Sequence, residues 1–384
     1  MDDDKYKIHR FSAKLLQKPV YKNLGNYLEG KTENYAPVSI NLDLITACSH
    51  QCLHCIDKDI INTGKMLDLG FVKELVSKWA GNGLKSVILI GGGEPTLYPY
   101  FEKTVEFLKG LGLQIGLVTN GSQNEKVKTV SRLFREKDWV RISIDAGLDA
   151  TFQSLHRPKI KMSLEELLES AGQIKLQNPD LQLGYSFLAI GKDKIAGSCL
   201  LPSNLQEISL AARKAKENGF SYLSVKPFID LEGTRATRIS DEDLAEIRKQ
   251  VEEARKLEDE KFKVIESVNL LCFYDEVLKK SMQSQPKICH AQNFRLVVAP
   301  AGIFQCSLWR GFKEAKIIDT DLELDENFWR QFEQKRIEIL NVFDAKKTCK
   351  DVFCLYAPLN AWMEDLKRKG QMPESIEDFN DYFL

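Results

Sequence analysis

The sequence predicts an α/β protein: a partial barrel of six strand–helix units, (β/α)6, followed by a smaller α+β domain. Short apolar runs alternate with amphipathic stretches of helical length from residue 39 to residue 228, which is typical of a parallel sheet covered by helices. This rhythm changes after about Gly233. Six units in roughly 190 residues fit a partial barrel better than a closed eight-fold barrel, which typically takes ~250 residues.

The apolar runs and the stretches between them give the predicted elements of the barrel. Strands are expected at Ser39–Thr46, Ser86–Ile90, Leu113–Thr119, Val140–Asp145, Leu181–Ile190 and Tyr222–Phe228. Helices are expected at Leu69–Ala80, Tyr100–Leu111, Asn124–Glu136, Ser163–Leu176 and Leu205–Asn218. Residues 1–38 show no clear period and are predicted to form an N-terminal extension, and the barrel is placed at residues 39–235.

A separate C-terminal domain is predicted at residues 240–384. Its first helix, Ser240–Leu257, begins with a serine followed by two acidic residues, a common signal for a helix N-terminus. Alternating Val, Leu, Phe and Gly residues from about Ile288 to Phe312 indicate a β-hairpin. Two further helices are expected at about Glu326–Leu340 and Pro358–Arg368.

Composition excludes several classes of protein. The 384 residues are 43% hydrophobic and 28% charged, close to the average for globular chains, so intrinsic disorder is not expected. The 54 Lys and Arg residues against 55 Asp and Glu residues leave no basic footprint for nucleic acid. The sequence contains no run of ~18 apolar residues, so no membrane span is predicted. The acidic N-terminus does not resemble a secretory signal, and a cytoplasmic location is therefore predicted.

Nine cysteines in a reducing compartment call for an explanation other than disulfides. Cys48, Cys52 and Cys55 follow the first predicted strand with the spacing C-x3-C-x2-C. Structural zinc sites usually use four ligands with paired C-x2-C spacing. Three thiolates on one loop instead suit an iron–sulfur cubane with one iron free of protein ligands. A structural zinc site and chance clustering remain the alternatives.

A glycine-rich segment, Gly91-Gly92-Gly93-Glu94-Pro95, follows the second predicted strand. Glycine permits close approach of the backbone to a ligand, and the carboxyl edge of a parallel sheet is where α/β proteins bind ligands. The alternative interpretation is an ordinary tight turn.

These two motifs resemble those of the radical SAM superfamily. The three-cysteine loop is similar to the loop that holds the family's [4Fe-4S] cluster, and His54 stands where the family has an aromatic residue near the adenine of S-adenosylmethionine (SAM). The second motif resembles the family's GGEP, whose backbone and glutamate hold the methionyl amino group. Its four residues here are Gly92, Gly93, Glu94 and Pro95. The resemblance covers about residues 39–230.

The resemblance also implies further contacts to SAM at later strand ends. Asn120, within Thr119-Asn120-Gly121, and Ser143 and Asp145, within Ser143-Ile144-Asp145, correspond to positions near the ribose and the reacting carbon. Arg157 stands where a basic residue often meets the methionyl carboxylate. Ser186 and Lys226 are weaker candidates on the fifth and sixth strands.

For the reaction, the resemblance implies reductive cleavage of SAM. An electron from a flavodoxin- or ferredoxin-type donor passes through the cluster, the C5′–S bond breaks, and the resulting 5′-deoxyadenosyl radical removes a hydrogen atom from the substrate. The cofactors carry the difficult chemistry, while the protein orients them and excludes solvent.

A second cysteine group, formed by Cys289, Cys306, Cys349 and Cys354, has enough thiols to ligate a second cluster. It resembles the Twitch and SPASM auxiliary domains of radical SAM enzymes. The spacing Gly302-x3-Cys306 is one residue short of their pattern, and the last two cysteines are separated by four residues rather than two. A single auxiliary [4Fe-4S] cluster is therefore expected, with a four-thiolate zinc site or unliganded buried thiols as alternatives.

Several other side chains have two interpretations. Cys199 and Cys272 are expected to be packing residues, with a role as hydrogen-atom donor as the alternative. Trp309, Arg310 and Tyr356 lie beside the second cysteine group, where they would either shield a cluster or serve only in packing and surface charge.

Two functions follow from a fully ligated second cluster, which suits electron transfer. The first hypothesis is oxidation of a small polar metabolite, such as a sugar, an aminosugar or a cyclitol. The alternative is a peptide-modifying maturase that crosslinks or epimerises a residue. Only 47 residues precede Cys48, fewer than the ~80–90 residues of a leader-binding module. This argues against leader binding within this chain and leaves a separate binding protein open. A non-catalytic scaffold is disfavoured because both motifs are intact.

Overall fold

The computed structural model describes residues 11–31, 34–196, 198–228, 239–349 and 352–384. Its strands are β1 (Ser39–Leu42), β2 (Ser86–Leu89), β3 (Gln114–Thr119), β4 (Trp139–Ser143), β5 (Gln182–Ala189), β6 (Ile195–Ala196), β7 (Cys199–Leu200), β8 (Tyr222–Pro227), β9 (Lys263–Glu266), β10 (Arg295–Ala299), β11 (Gly302–Phe304) and β12 (Lys316–Ile318).

The helices of the first half are α1 (Phe11–Leu16), α2 (Tyr21–Leu28), α3 (Leu69–Asn82), α4 (Phe101–Gly110), α5 (Asn124–Ser131), α6 (Asp149–His156) and α7 (Leu164–Gln177). Those of the second half are α8 (Ile208–Glu217), α9 (Asp241–Arg255), α10 (Val268–Leu271), α11 (Glu276–Met282), α12 (Glu326–Val342), α13 (Ala345–Thr348) and α14 (Ala357–Lys369). None of them has the length and apolar composition needed to cross a bilayer.

Ten strands form one sheet in the order β12-β11-β10-β1-β2-β3-β4-β5-β8-β9. The six strands expected for the barrel all form and lie side by side in parallel. Their inward and outward faces carry buried aliphatic side chains that pack against α3, α4, α7 and α8. The predicted α/β class with a parallel, barrel-like sheet is therefore confirmed.

The sheet extends beyond the predicted six strands at both edges. β9, which the sequence analysis did not identify, pairs in parallel with β8. At the other edge β10 pairs in parallel with β1 in the register Ser39–Arg295, and β11 and β12 add antiparallel strands. The C-terminal hairpin thus continues the sheet from the strand that leads into the first cysteine loop. The change of pattern predicted at about Gly233 and most of the domain boundary predicted at residues 235–240 lie outside the described residues.

Helix starts follow local capping. The side chain of Ser163 accepts a hydrogen bond from Glu166 N, and the Glu166 carboxylate accepts one from Ser163 N, so α7 begins with a complete capping box. Ser240 caps α9 in the expected position. α6 was not expected from the sequence, and it ends at Arg157, whose φ of 44° places it in the left-handed region.

The amino ends of the strands are covered by the two ends of the chain. Ser86 and Gln114, the first residues of β2 and β3, hydrogen-bond the backbone of Tyr382. The buried ammonium of Lys14 on α1 lies 2.9 Å from Asp381 and donates to the carbonyl of Phe383 at 2.6 Å. The motif residues lie at the opposite, carboxyl edge of the sheet.

Candidate active site

The three-cysteine loop leaves the carboxyl end of β1. Cys48, Cys52 and Cys55 are half-buried free thiols. Burial raises the pKa of Cys55 to about 12, with Asp57 and Cys48 adding to the effect. Burial, then Cys55 and Cys48, also raise the pKa of Cys52. The raised pKa values favour neutral thiols in the metal-free chain, so bound iron would have to displace their protons, and three such donors in one loop fit a metal cluster.

The C-terminal end of α6 and the residues that follow it lie beside the cysteine loop and fix its backbone. Gln51 N donates to the carbonyls of His156 and Arg157, and Leu53 N donates to Leu155 O at 2.9 Å. The ammonium of Lys159 donates to Cys48 O at 2.9 Å. The loop is therefore held in place by the fourth strand–helix unit as well as by β1.

The glycine segment after β2 lies directly against the start of the same loop. Glu94 N donates to Ala47 O at 2.8 Å. A Cβ atom at Gly93 would lie 2.4 Å from Ala47 O and 2.5 Å from Ile45 O, too close for any side chain. The backbone of the glycine segment is thus closely packed against the backbone at the start of the cysteine loop.

Glu94 points inward and is 2% exposed. One carboxylate oxygen accepts hydrogen bonds from Thr96 N and from the hydroxyls of Thr96 and Thr119, and the other accepts from Asn120 N at 2.7 Å. Burial raises the pKa of Glu94, and these hydrogen bonds oppose the rise. Its carboxylate therefore ties the end of β2 to the end of β3. Pro95 is buried in the turn that follows.

Asn120 brings the end of β3 to the first cysteine. Its side-chain nitrogen lies 3.1 Å from Ser49 Oγ and 3.7 Å from Cys48 Sγ. Its side-chain oxygen accepts from Ser122 N at 2.9 Å, which fixes the orientation of the amide. The residue is almost completely buried and aims its amide N–H group at a cysteine sulfur.

Asp145 joins two histidines at the end of β4. One of its oxygens accepts a hydrogen bond from Leu188 N at 2.6 Å, and the other lies 3.0 Å from His54 Nε2 and 3.2 Å from His156 Nε2. Burial would raise the pKa of Asp145, but the hydrogen bonds from His156 and His54 outweigh it and lower the pKa. The other nitrogen of His156, Nδ1, lies 3.4 Å from Cys52 Sγ.

The remaining predicted SAM contacts are more spread out. Ser143 pairs with Ser186 across β4 and β5. The ammonium of Lys226 lies 3.5 Å from Ser186 Oγ, and burial lowers the pKa of this lysine. Arg157 is exposed at the edge of the loop. Apart from the carbonyl of Arg157, which accepts from Gln51 N, these residues border the carboxyl edge without joining the contacts around the cysteines.

The second cysteine group comes together around one cavity of about 40 Å³. Its half-buried members are Cys289, Cys306, Cys349 and Cys354. Burial, then Cys306 and Cys349, raise the pKa of Cys289 to about 12, and burial followed by the three other thiols raises the pKa of Cys354. Four thiols from three separate segments therefore share one electrostatic environment.

Polar groups around this second cavity have the character of ligand contacts. The side-chain amides of Gln292 and Gln305 line it, are buried, and have no hydrogen-bond partner among the described residues. Asn360 Nδ2 lies 3.7 Å from Cys289 Sγ. Burial raises the pKa of Cys349 to about 11, and the nearby indole N–H of Trp309 opposes the rise. The guanidinium of Arg295 lies near Cys306 and Cys354, which raise its pKa, although burial lowers it overall to about 10. A [4Fe-4S] core with four thiolate ligands is anionic as a whole, and it fits the N–H donors and the guanidinium around this cavity.

Residues 42–179 match the profile of the radical SAM superfamily. This stretch holds the cysteine loop, the glycine segment, Asn120, Asp145 and His156, which the structure brings together. The chain carries a radical SAM domain. That domain implies a [4Fe-4S] cluster and SAM as cofactors.

Two curated relatives match parts of this chain. This chain is 28% identical over 213 residues to the peptide biosynthesis protein YydG of Bacillus subtilis (strain 168), a match that covers 54% of this chain and 59% of YydG. A SAM-dependent nucleotide dehydratase of a Thermoplasmatales archaeon (strain ISO4-H5) is 32% identical over 113 residues, or 28% of this chain and 38% of that protein. The chain thus spans less than two thirds of either relative's length.

Among solved structures, SuiB of Streptococcus suis has a similar fold. It superposes with a TM-score of 0.61 over 94% of this chain and 81% of SuiB, at 14% sequence identity. SuiB has also been solved bound to its precursor peptide SuiA. At this identity the likeness concerns the fold alone, and it includes the strands and helices after the radical SAM domain.

The positions of some site residues differ from those that the sequence predicts, and one site residue had no predicted role. His156 had no predicted role, although its place before Arg157 was a possible signal. Arg310, expected beside the second cysteines, turns away to Asp43 and Asp57. Trp309 and Tyr356 do line the second cavity. Cys272 is fully buried in an apolar cluster, and Cys199 is half-buried in β7.

Proposed function

We propose that this protein is a radical SAM maturase that modifies a peptide. The observation that carries the proposal is the second cysteine site, built into the same sheet as the radical SAM domain, in a chain whose match to a peptide biosynthesis protein covers 54% of its length. The match to nucleotide dehydratases covers about half as much of the chain, 28%, and gives that activity less support.

The peptide proposal replaces the oxidation of a small polar metabolite as the favoured function. Neither relative described above is named for a sugar, an aminosugar or a cyclitol. The metabolite hypothesis rested on the second cluster as an electron acceptor, and a peptide crosslink uses the same property. The second site therefore supports oxidation without selecting the smaller substrate.

At the first site we assign Cys48, Cys52 and Cys55 as ligands of the SAM-binding cluster. When bound, the cluster and SAM supply a 5′-deoxyadenosyl radical that takes a hydrogen atom from the substrate. The chain's own residues orient this chemistry: Gly93 and Glu94 hold the glycine segment against the loop, and Asn120 and His156 approach the cysteine sulfurs. The methionyl and ribose contacts implied for Gly92, Ser143 and Arg157 remain part of the proposal.

At the second site we assign Cys289, Cys306, Cys349 and Cys354 as ligands of an auxiliary [4Fe-4S] cluster. Such a cluster supplies a one-electron acceptor. Arg295 places a buried positive charge beside two of the ligands, and its guanidinium is held by Asn41 Oδ1 at 2.7 Å and by the hydroxyl of Tyr356. This charge offsets part of the negative charge that four thiolates bring to the cavity. A flavodoxin- or ferredoxin-type protein is the proposed electron donor.

Iron and sulfide analysis with Mössbauer spectra tests the two-cluster assignment. After anaerobic reconstitution we expect about eight irons per chain, falling to about four in the Cys48/Cys52/Cys55→Ala triple variant. If about four irons in wild type fall to none in the triple variant, no second cluster forms, and the second site holds zinc or free thiols. Zinc content measured on the same samples separates those two cases.

The peptide substrate is tested by mass spectrometry. Reconstituted protein, SAM and a reductant are incubated with peptides encoded by short reading frames beside this gene. A crosslink removes the mass of two hydrogen atoms, whereas epimerisation in heavy water replaces one hydrogen with deuterium and changes nothing else in the composition. If no encoded peptide changes mass while 5′-deoxyadenosine forms with a small metabolite, the peptide proposal is wrong.

A further inference from the structure

A buried guanidinium links the two cysteine sites. Arg310 follows the hairpin cysteine Cys306 by four residues and is 7% exposed. Its Nη1 donates to Asp43 Oδ2 at 2.7 Å, its Nε donates to Asp57 Oδ1 at 3.2 Å, and its Nη2 pairs with the other oxygen of Asp57. Asp57 lies two residues after Cys55, and Asp43 directly follows β1. The segment after the C-terminal hairpin thus binds both ends of the first cysteine loop through Arg310.

Neighbouring residues of the same segment strengthen this link. Trp309 lines the second cavity together with Cys349, whereas Arg310 faces the first loop. Gly311 has a φ of 85°, and a Cβ there would lie 2.8 Å from the side chain of Ile60. Ile60 in turn packs beside Gly92 of the glycine segment, where a Cβ would meet it at 3.3 Å. Three consecutive residues therefore contact the second site, the first loop and the side chain that covers the glycine segment.

We propose that Arg310 is a positioning residue that couples the two sites, so that a loaded second site strengthens SAM binding at the first. Ligation of Cys306 fixes the segment that carries Arg310. The guanidinium then holds Asp43 and Asp57, and with them the loop and glycine segment against which SAM binds. Because such coupling is reciprocal, SAM binding also favours retention of the second cluster.

The arrangement suits a coupling role because it is costly to disrupt. The three charges are buried, and removing the guanidinium leaves two carboxylates close together without their cation. The planar fork binds Asp57 through two nitrogens, a geometry that a lysine ammonium does not reproduce. A role in SAM affinity rests on the proposed function, since it requires clusters at both sites.

The experiment is a double-mutant cycle read as the Kd of SAM. SAM is titrated into reconstituted, reduced protein, and the change in the EPR signal of the first cluster reports binding. Four proteins are compared: wild type, Arg310→Gln, the variant with alanine at all four second-site cysteines, and the combination. Arg368→Gln, at an exposed arginine of α14, is the matched control.

We expect Arg310→Gln and loss of the second site each to weaken SAM binding about 5- to 150-fold, the usual range for coupled sites. In combination they should weaken it no further than either alone. Arg310→Lys, which keeps the charge without the fork, should fall between wild type and Arg310→Gln. An unchanged Kd in Arg310→Gln, or two effects that simply multiply, would overturn the proposal.

Iron content separates this inference from the proposed function. If wild type holds about four irons, the second cluster and the coupling fail together. If wild type holds about eight irons and the Kd of SAM is unchanged in Arg310→Gln, only the coupling fails. Should Arg310→Gln not fold, Asp57→Asn provides the same cycle, because it preserves side-chain shape and removes one of the two charges facing the guanidinium.

Discussion

The imidazole of His156 lies with its Nδ1 3.4 Å from the Sγ atom of Cys52. A sulfur bound to iron carries no proton, so a hydrogen bond here requires a proton on Nδ1, and a simultaneous one to Asp145 requires the imidazolium form of the ring. His156 is held in place by Asp145 through its other nitrogen and by the ring of Phe152, whose centroid lies 5.2 Å away. Hydrogen bonds to cluster sulfurs are one of the means by which proteins set a cluster's reduction potential.

His156→Phe should therefore make the reduction potential of the first cluster more negative, by tens of millivolts. Phenylalanine keeps the stacking on Phe152 and removes the N–H donor. The measurement is an EPR redox titration in a background with alanine at the four second-site cysteines, so that one cluster contributes. Ser154→Ala, at an exposed position of α6, is the control. A potential equal to or above that of the parent would show that this contact does not tune the cluster.

Gly93→Ala should disrupt the first site through backbone contact alone. The added methyl group would lie 2.4 Å from Ala47 O, and neither strand end is free to move away because Glu94 and Asn120 join them. Overpacking of this kind typically costs about 1–3 kcal/mol in the free energy of unfolding. Urea unfolding of the metal-free chain measures that cost, and iron content after reconstitution reports the effect on the loop.

Gly110→Ala is the matched control for this variant. Gly110 ends α4, and a Cβ there meets nothing within 4 Å. It should keep wild-type iron content and equal or slightly greater stability, since alanine favours helices. Equal behaviour of the two alanine variants would contradict the role assigned to Gly93.

Glu94→Gln should destabilise the protein by about 2–3 kcal/mol, because hydrogen bonds to a charged acceptor are each worth about 1.5–3 kcal/mol. The amide presents an N–H group where the carboxylate accepts from Asn120 N or from the two threonine hydroxyls. Urea unfolding gives the change, with Glu106→Gln on the exposed face of α4 as the control. Unchanged stability would mean that Glu94 is free to bind SAM rather than to join the strands.

Much of the site followed from the sequence because its signals are local. The spacing of Cys48, Cys52 and Cys55 and the run of glycines each lie within one loop, and alternating apolar runs located all six barrel strands. The four cysteines of the second site could be grouped without knowledge of the fold, and the structure places them around one cavity.

The contacts that the sequence did not reveal are those between distant segments. Arg310 and Asp57 are 253 positions apart, and only the parallel pairing of β10 with β1 brings them together. Arg310 was expected beside the second cysteines because it neighbours them in sequence, but Trp309 and Arg310 lie in a turn that directs their side chains to different sites. β9 is four residues long and begins and ends with a charged residue, so it is too short to show a clear period.

The histidine beside the first cysteine makes the fold sensitive to acid. Burial lowers the pKa of His50 to about 3, with His156 and Lys159 adding to the effect, whereas an unfolded histidine titrates at 6.5. Below that value the unfolded chain takes up a proton that the folded chain refuses, so the free energy of unfolding should fall as the pH drops. Asp145 acts in the same direction near pH 4, since hydrogen bonds from His156 and His54 overcome the effect of burial and lower its pKa.

His50→Phe should therefore lose less stability than wild type between about pH 7 and about pH 5. Phenylalanine keeps the edge contact with Phe152, and both nitrogens of His50 lack a hydrogen-bond partner among the described residues, so no bond is lost. Urea unfolding of the metal-free chain at several pH values gives the two slopes. Parallel slopes would mean that His50 takes up its proton in the folded chain, and that its ring reaches solvent beside the cysteine loop.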